Sequence, residues 1–262
     1  MQKSLILAGV TSLALALAAN AAVINEVYVN PPGTDDAREY IELRGTPGEL
    51  LDGLTLLEIE GDGTGAGVID LARSLNGLAI GSTGYLVLGN NWETSTPYSI
   101  PTGTTIANLN RTPTATIENG SVTFILARDF TGALTNDLDT NNDGTLDVTP
   151  WSAVVDNIGW AEDSVVTASD IVYLGAAIGN AGIPPGTIDA ASRSFTDLTP
   201  GSAGAWFNSD IIDDDLDLIY FPDRLSGTPT TDRLTPGSAN VPEPTSAALL
   251  AVGSILLRRR RA

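Results

Sequence analysis

Residues 23–30 read Val23-Ile24-Asn25-Glu26-Val27-Tyr28-Val29-Asn30, and Pro31-Pro32-Gly33 stops them. Val23, Asn25, Val27 and Val29 alternate with Ile24, Glu26, Tyr28 and Asn30. A two-residue period belongs to an extended strand, whose side chains point to alternate faces, and not to a helix. The prolines then fix φ and the glycine permits a tight reversal.

The same unit recurs along the chain. Glu39–Arg44, Leu54–Glu60, Tyr85–Gly89, Val122–Arg128, Val154–Trp160 and Asp170–Gly175 read as strands. Gly61-Asp62-Gly63, Gly81-Ser82-Thr83-Gly84 and Asn119-Gly120 punctuate them. Asp70–Leu78 reads as a helical turn or a loop, and Gly175–Gly186 as a loop. Many short strands between Gly, Pro and Asn turns, with no long helical period, predict an all-β antiparallel β-sandwich. A loop-rich extension follows at the C-terminal end.

The two ends differ from this body. Lys3 precedes an apolar run from Ser4 to Ala19, and Ala19-Asn20-Ala21 has the small-residue pattern of a cleavage site. That order predicts a secretory signal peptide over residues 1–21, with a mature chain starting near Ala22. At the other end come Val241-Pro242-Glu243-Pro244, an 11-residue apolar run from Ala247 to Leu257, and Arg258, Arg259, Arg260 and Arg261. At about 1.5 Å per residue the run covers roughly half of a ~30 Å hydrocarbon core. It suits transient membrane insertion, with the arginines resisting translocation. The prolines keep residues 241–244 extended, as a processing enzyme requires.

Residues 241–262 resemble the PEP-CTERM sorting signal of bacterial exported proteins. The resemblance implies recognition by an exosortase-type enzyme, removal of the tail, and delivery to the cell surface, outer envelope or extracellular matrix.

Removing residues 1–21 and 241–262 leaves eight arginines against 31 carboxylates, a net charge of −23. Such a surface repels nucleic acid and attracts cations. The chain has no Cys and no His, and Lys3 is its only lysine. Ser-His-Asp, Cys-His, Ser-Lys and Schiff-base mechanisms are thereby excluded, as are His or Cys metal sites. Without disulfides, the fold depends on its core or on bound ions.

The opening strand carries a second resemblance. Ile24–Val27, Glu39–Leu43 and Leu51–Leu56 are similar to the lamin-tail pattern, an immunoglobulin-like sandwich, over about residues 22–91. The implied domain spans 22–220, followed by a linker over 221–240. Glu26, Glu39 and Glu42 belong to that pattern and are expected to be solvent-facing strand residues rather than cation ligands. Asp197–Ala203 (DLTPGSA) is echoed by Arg233–Ala239 (RLTPGSA), an expected terminal edge and accessible linker.

The sharpest internal signal is Asp137-Leu138-Asp139-Thr140-Asn141-Asn142-Asp143-Gly144-Thr145-Leu146-Asp147. Oxygens at alternate positions can converge on a hard cation, and the glycine permits the turn. Asp139, Asn141, Asp143, the Thr145 carbonyl and Asp147 occupy ligand positions, and the loop resembles the first nine residues of an EF-hand or dockerin loop. Pro150 stands where that pattern needs a bidentate Glu, so Asp137 or the distant Asp156 is the substitute ligand. The expected cofactor is a structural calcium ion. A second cluster, Asp210–Asp217, lacks the glycine and the spacing and reads as a solvated loop.

Three functions compete. The first is a non-catalytic exported interaction or adhesion module, partnered by surface proteins or polysaccharide. The second is a carbohydrate-binding module, which needs Trp92, Trp151, Trp160 or Trp206 exposed in a row. The third is a hydrolase using paired carboxylates, for which no motif selects a pair; the chain is expected not to be an enzyme.

Overall fold

A computed structural model describes residues 22–31, 38–111, 117–161, 170–174, 177–178, 188–209, 219–222, 229–232 and 234–240. Among them the strands are β1 (Val23–Tyr28), β2 (Tyr40–Arg44), β3 (Leu54–Glu60), β4 (Ile69–Ser74), β5 (Tyr85–Gly89), β6 (Thr105–Asn108) and β7 (Val122–Arg128). They continue with β8 (Ala153–Trp160), β9 (Ala177–Ile178), β10 (Ala190–Arg193), β11 (Trp206–Ser209), β12 (Ile219–Pro222) and β13 (Pro229–Asp232). Short 3-10 turns lie at Gly63–Gly65 and Ala203–Ala205.

The strands form an all-β sandwich. The first sheet has the order β11-β10-β1-β2-β5-β6 and the second β4-β3-β7-β8-β9; β12 and β13 form a separate hairpin. Pairing is antiparallel except at β5–β6 and β8–β9. Ile24, Val27, Ile41, Leu43, Leu86 and Leu88 of the first sheet share one core with Leu54, Leu56, Phe124, Leu126, Ile158 and Trp160 of the second. Each such side chain stabilises the fold by roughly 1.5–3 kcal/mol relative to exposure.

Both outer faces are covered as well. Tyr28, Tyr40, Val87 and Ala190 of the first sheet pack with Trp92 and Leu234. Leu57, Ile59, Ile69, Ile125 and Ala127 of the second pack with Leu138, Ile171 and Tyr173. The strands therefore read as runs of buried residues, which explains why strict alternation misleads at three places.

In β1 a register shift falls between Ile24 and Glu26, leaving Asn25 as an extra residue. The bulge puts Ile24, rather than Asn25, on the core face with Val27 and Val29. Asp70–Leu78 is not a helical turn, because residues up to Ser74 belong to β4, paired antiparallel with β3. Here Ile69 and Leu71 are buried on opposite faces, and a shift at Glu58/Ile59 leaves Asp70 unpaired. Asp170–Gly175 is not a strand over its described part. Asp170 makes one bridge to Asp62, and residues 171–174 lie over the second sheet, with Tyr173 N–H donating to Thr123 Oγ1 at 2.9 Å. Within the expected Gly175–Gly186 loop, Ala177 and Ile178 pair with β8; residues 175–176 and 179–187 lie outside the description.

Candidate functional site

The acidic loop is built onto the outer face of the second sheet. Val68 bridges Asp137, and Leu138 N–H donates to Gly67 carbonyl at 2.9 Å. Gly67 has φ +91°, and a Cβ there would lie 2.7 Å from Asp139 N, so backbone approaches backbone where a side chain has no room. Leu138 is buried beneath the loop as its apolar tether. Asp147 N–H donates to Leu138 carbonyl at 2.7 Å and closes the loop.

Asp139 is fully buried at the loop's centre. Its Oδ1 accepts Asp143 N–H at 3.2 Å, and its Oδ2 accepts Gly144 N–H at 2.9 Å and Tyr173 O–H at 3.0 Å. Burial and then the Asp139 carboxylate hold the Tyr173 hydroxyl above its usual range. Asn141 Oδ1 accepts the same Asp143 N–H at 3.1 Å, and Asp143 Oδ1 accepts Thr145 N–H at 2.9 Å. Asp147 Oδ2 accepts Thr140 O–H at 2.7 Å, and Asp137 Oδ1 accepts Asp139 N–H at 3.0 Å. Oriented to suit its neighbours, Asn142 Nδ2 donates to the carbonyls of Asp139 and Ala66. The structure thus brings the Asp139 and Asn141 oxygens onto one backbone N–H, that of Asp143, while the Asp143 carboxylate turns to Thr145 N–H.

Asp156 is not a substitute ligand. It lies in β8 under the central core, where its Oδ2 pairs with Arg193 Nη2 at 2.5 Å and accepts Ile24 N–H at 2.8 Å, while Oδ1 accepts Gly201 N–H at 2.9 Å. Its burial demands that pairing.

Among the described residues, the acidic trio whose oxygens lie within 4.8 Å of one another is Glu60, Asp70 and Glu118, not three carboxylates of the 137–147 loop. Burial pushes Glu60 up to about 7 and raises Asp70, with Arg111 opposing the shift at Asp70. Glu58, fully buried beside them, is also pushed up to about 7 by burial and is ion-paired with Arg111. The sequence signal was the Glu58-Ile59-Glu60 alternation. The Asp70 bulge and the arrival of Glu118 beside it are tertiary facts.

Glu26, Glu39 and Glu42 are fully buried and do not face solvent. They sit under the covering of the first sheet. Residues 234–240 supply part of that covering: Thr235 N–H donates to Glu26 Oε1 at 3.0 Å, and Gly237 N–H donates to Glu42 Oε2. Asn240 Nδ2 donates to the carbonyls of Asn25 at 3.1 Å and Arg193 at 3.0 Å. These residues belong to the stretch read as an accessible linker, and Leu234, Pro236 and Gly237 are buried.

The two Leu-Thr-Pro-Gly-Ser copies share a geometry. Ser202 N–H donates to Thr199 carbonyl and Ser238 N–H to Thr235 carbonyl, with proline second and glycine third in each turn. Gly201 has φ +65° and Gly237 φ +84°, the type II arrangement that favours glycine. In both, the glycine N–H caps a buried carboxylate: Asp156 in the first and Glu42 in the second.

Trp92, Trp160 and Trp206 are buried and Trp151 is half-buried, so the described surface carries no row of exposed tryptophans. Residues 1–21, the Asp210–Asp217 cluster and the sorting motif from Val241 to Ala262 lie outside the described residues. No helix among the described residues is long and apolar enough to cross a membrane.

The fold and its acidic loop define an all-β sandwich with committed buried carboxylates. A scan against protein-family models, a search of curated proteins and a search of solved structures each returned no match.

Proposed function

We propose that this chain is an exported, non-catalytic interaction or adhesion module of the bacterial cell surface or extracellular matrix. The observation that carries the reading is the docking of residues 234–240, immediately before Val241, onto β1 and β10. A sorting signal beginning at Val241 would be presented at the edge of a closed domain. A tail held there would pass its load into the first sheet through Asn240.

The non-catalytic part rests on how the buried carboxylates are used. Glu26, Glu42, Glu58 and Asp156 each accept hydrogen bonds from the protein itself. The carbohydrate reading is the weaker one, because its tryptophans are mostly inside.

In the same proposal the 137–147 loop holds a structural calcium ion. Asp139, Asn141, Asp143, Asp147 and the Thr145 carbonyl would provide the oxygens, with Asp137 as the substitute ligand. A weak site, with Kd of ~10⁻⁴–10⁻³ M, suffices outside the cell.

The test is fractionation of a native-type host with and without its exosortase-type enzyme, with mass measurement of the product. An exported chain lacking residues 1–21 and the arginine-bearing tail is expected. An intact 262-residue chain inside the cell overturns the proposal.

A further inference from the structure

Ala22 stands one residue before β1, and the surroundings of its backbone nitrogen are unlike a strand ladder. Its N–H donates to a carboxylate, Glu49 Oε1, at 2.9 Å. Its methyl is fully buried in the central core, so the nitrogen cannot drift from that position without removing the side chain from its site.

Glu49 is held to receive it. Its Oε2 accepts Thr46 N–H at 3.0 Å. Its backbone N–H donates to Thr46 carbonyl, and its carbonyl accepts Ile80 N–H, both at 2.9 Å. Gly45 leaves the space between the two: a Cβ there would lie 2.6 Å from Glu49 Oε2 and 3.2 Å from the Ala22 Cβ. A neutral peptide N–H needs no charged acceptor, and any carbonyl would satisfy it. Among the described residues the Glu49 carboxylate accepts from two backbone N–H groups, those of Ala22 and Thr46, and from no basic side chain.

We propose that hydrolysis of the Ala21–Ala22 bond creates the cation for which Glu49 is placed. Water adds across the peptide bond under a membrane signal peptidase, leaving a carboxylate on Ala21 and an α-ammonium on Ala22. The new ammonium pairs with Glu49, and processing thereby adds an ion pair to the fold. The inference rests on the export reading and fixes its cleavage point to the residue: a chain one residue longer or shorter displaces the charge from Glu49.

The chain offers a clean test, because Lys3 is its only lysine and is lost on cleavage. The α-amine is then the sole primary amine in the mature protein. The exported protein is purified and its N-terminal residue determined. It is then unfolded, acetylated, refolded and melted beside an untreated refolded control. Acetylation keeps the N–H that donates to Glu49 and removes only the charge.

The expected N-terminal residue is Ala22. Acetylation is expected to lower Tm by about 2–4 °C, and added salt to shrink that gap. In Glu49→Gln the acetylated and free chains should melt together. An exported chain that starts elsewhere overturns the inference while leaving export intact; an uncleaved chain inside the cell overturns both. Equal Tm values for the acetylated and free wild-type chains, or the same drop in Glu49→Gln, also overturn it. Should Glu49→Gln fail to fold, the salt dependence of the wild-type gap decides: a gap that salt leaves unchanged is not an ion pair.

Discussion

Glu26 and Glu42 lie directly opposite each other on adjacent strands, on a face that is closed to water. Like charges so placed repel, and burial disfavours both. The surrounding donors offset part of this cost: Tyr40 O–H and Ser192 O–H to Glu26, Asn25 Nδ2 to Glu42, and the two N–H groups of residues 235 and 237. Burial still pushes Glu26 up to about 7, and burial with the Glu26 charge holds Glu42 well above its usual value. A tail segment thus caps two carboxylates that resist ionisation.

This arrangement fixes the sign of the pH dependence. The folded chain keeps the Glu26 proton until pH about 7, whereas the unfolded chain releases it near 4.5. Stability from this group is complete below the lower value and is lost as pH rises through the higher one. Glu58 and Glu60 act in the same direction. Urea denaturation should show unfolding free energy falling across that window. General repulsion in a chain of net charge −19 gives a similar trend, so the decisive comparison is Glu26→Gln, whose slope should be shallower. Equal slopes in the two proteins would sink the assignment.

Gly237 holds the tail segment in place. A Cβ there would meet Thr104 Oγ1 at 2.7 Å, Ile100 Cγ2 at 2.9 Å and Pro101 Cδ at 2.9 Å, at a φ of +84°. Overpacking and left-handed strain each cost about 1–3 kcal/mol. Gly237→Ala should therefore detach residues 234–240 and expose them to protease while the sandwich stays folded. Gly201→Ala meets Asn157 Nδ2 at 3.3 Å and should cost less. Equal protease resistance of Gly237→Ala and wild type would count against the docking.

Most of the sandwich is legible in local pattern: β1, β2, β3, β5, β7 and β8 follow from alternation and turn residues. What was hidden has one physical cause. Both faces of both sheets are covered, so burial is not confined to one alternating set, and polar residues at bulges such as Asn25 and Asp70 shift the faces. β10 and β11 are short strands of Ala190-Ala191-Ser192-Arg193 and Trp206-Phe207-Asn208-Ser209; β11 pairs with its neighbour β10, and β10 joins the sheet by pairing with the distant β1. The acidic loop announced itself by spacing. Asp156, Glu26, Glu39 and Glu42 did not, because the residues that shelter them lie up to 209 positions away, as in Glu26 with Thr235.

The Asp156–Arg193 pair tests that sheltering. Burial pushes Asp156 up and Arg193 down, in spite of the attraction between them. Desolvation therefore outweighs the pairing, yet losing one partner strands the other, which costs about 3–5 kcal/mol. Arg193 also donates to the Ile24 and Thr199 carbonyls and stacks over Trp206 at 4.6 Å. Asp156→Asn should lower urea-derived stability by that amount, with little salt dependence because the pair is buried. Arg193→Lys should not restore the planar contacts. A loss below about 1 kcal/mol, the size expected of an exposed pair, would show that the site is wetter than its geometry implies.

Calcium binding in the 137–147 loop, as proposed, is separable from the folding of the loop itself. Asp139 is a poor choice for mutation, because its buried oxygens accept three hydrogen bonds that hold the loop. Asp143 is exposed, so Asp143→Asn removes a charged ligand at little cost to the ion-free fold. Calcium at about ten times Kd should stabilise the wild type by about 1.4 kcal/mol, a rise of roughly 3–6 °C in Tm. Asp143→Asn should melt like wild type in chelator and lose most of the calcium response. Magnesium should not substitute, since it demands a tighter octahedral set of oxygens. A wild-type Tm that is the same in calcium and in chelator would leave the loop as a hydrogen-bonded acidic turn. A calcium response that survives Asp143→Asn but is abolished by Asp70→Asn would move the ion to Glu60, Asp70 and Glu118, the trio whose oxygens already converge.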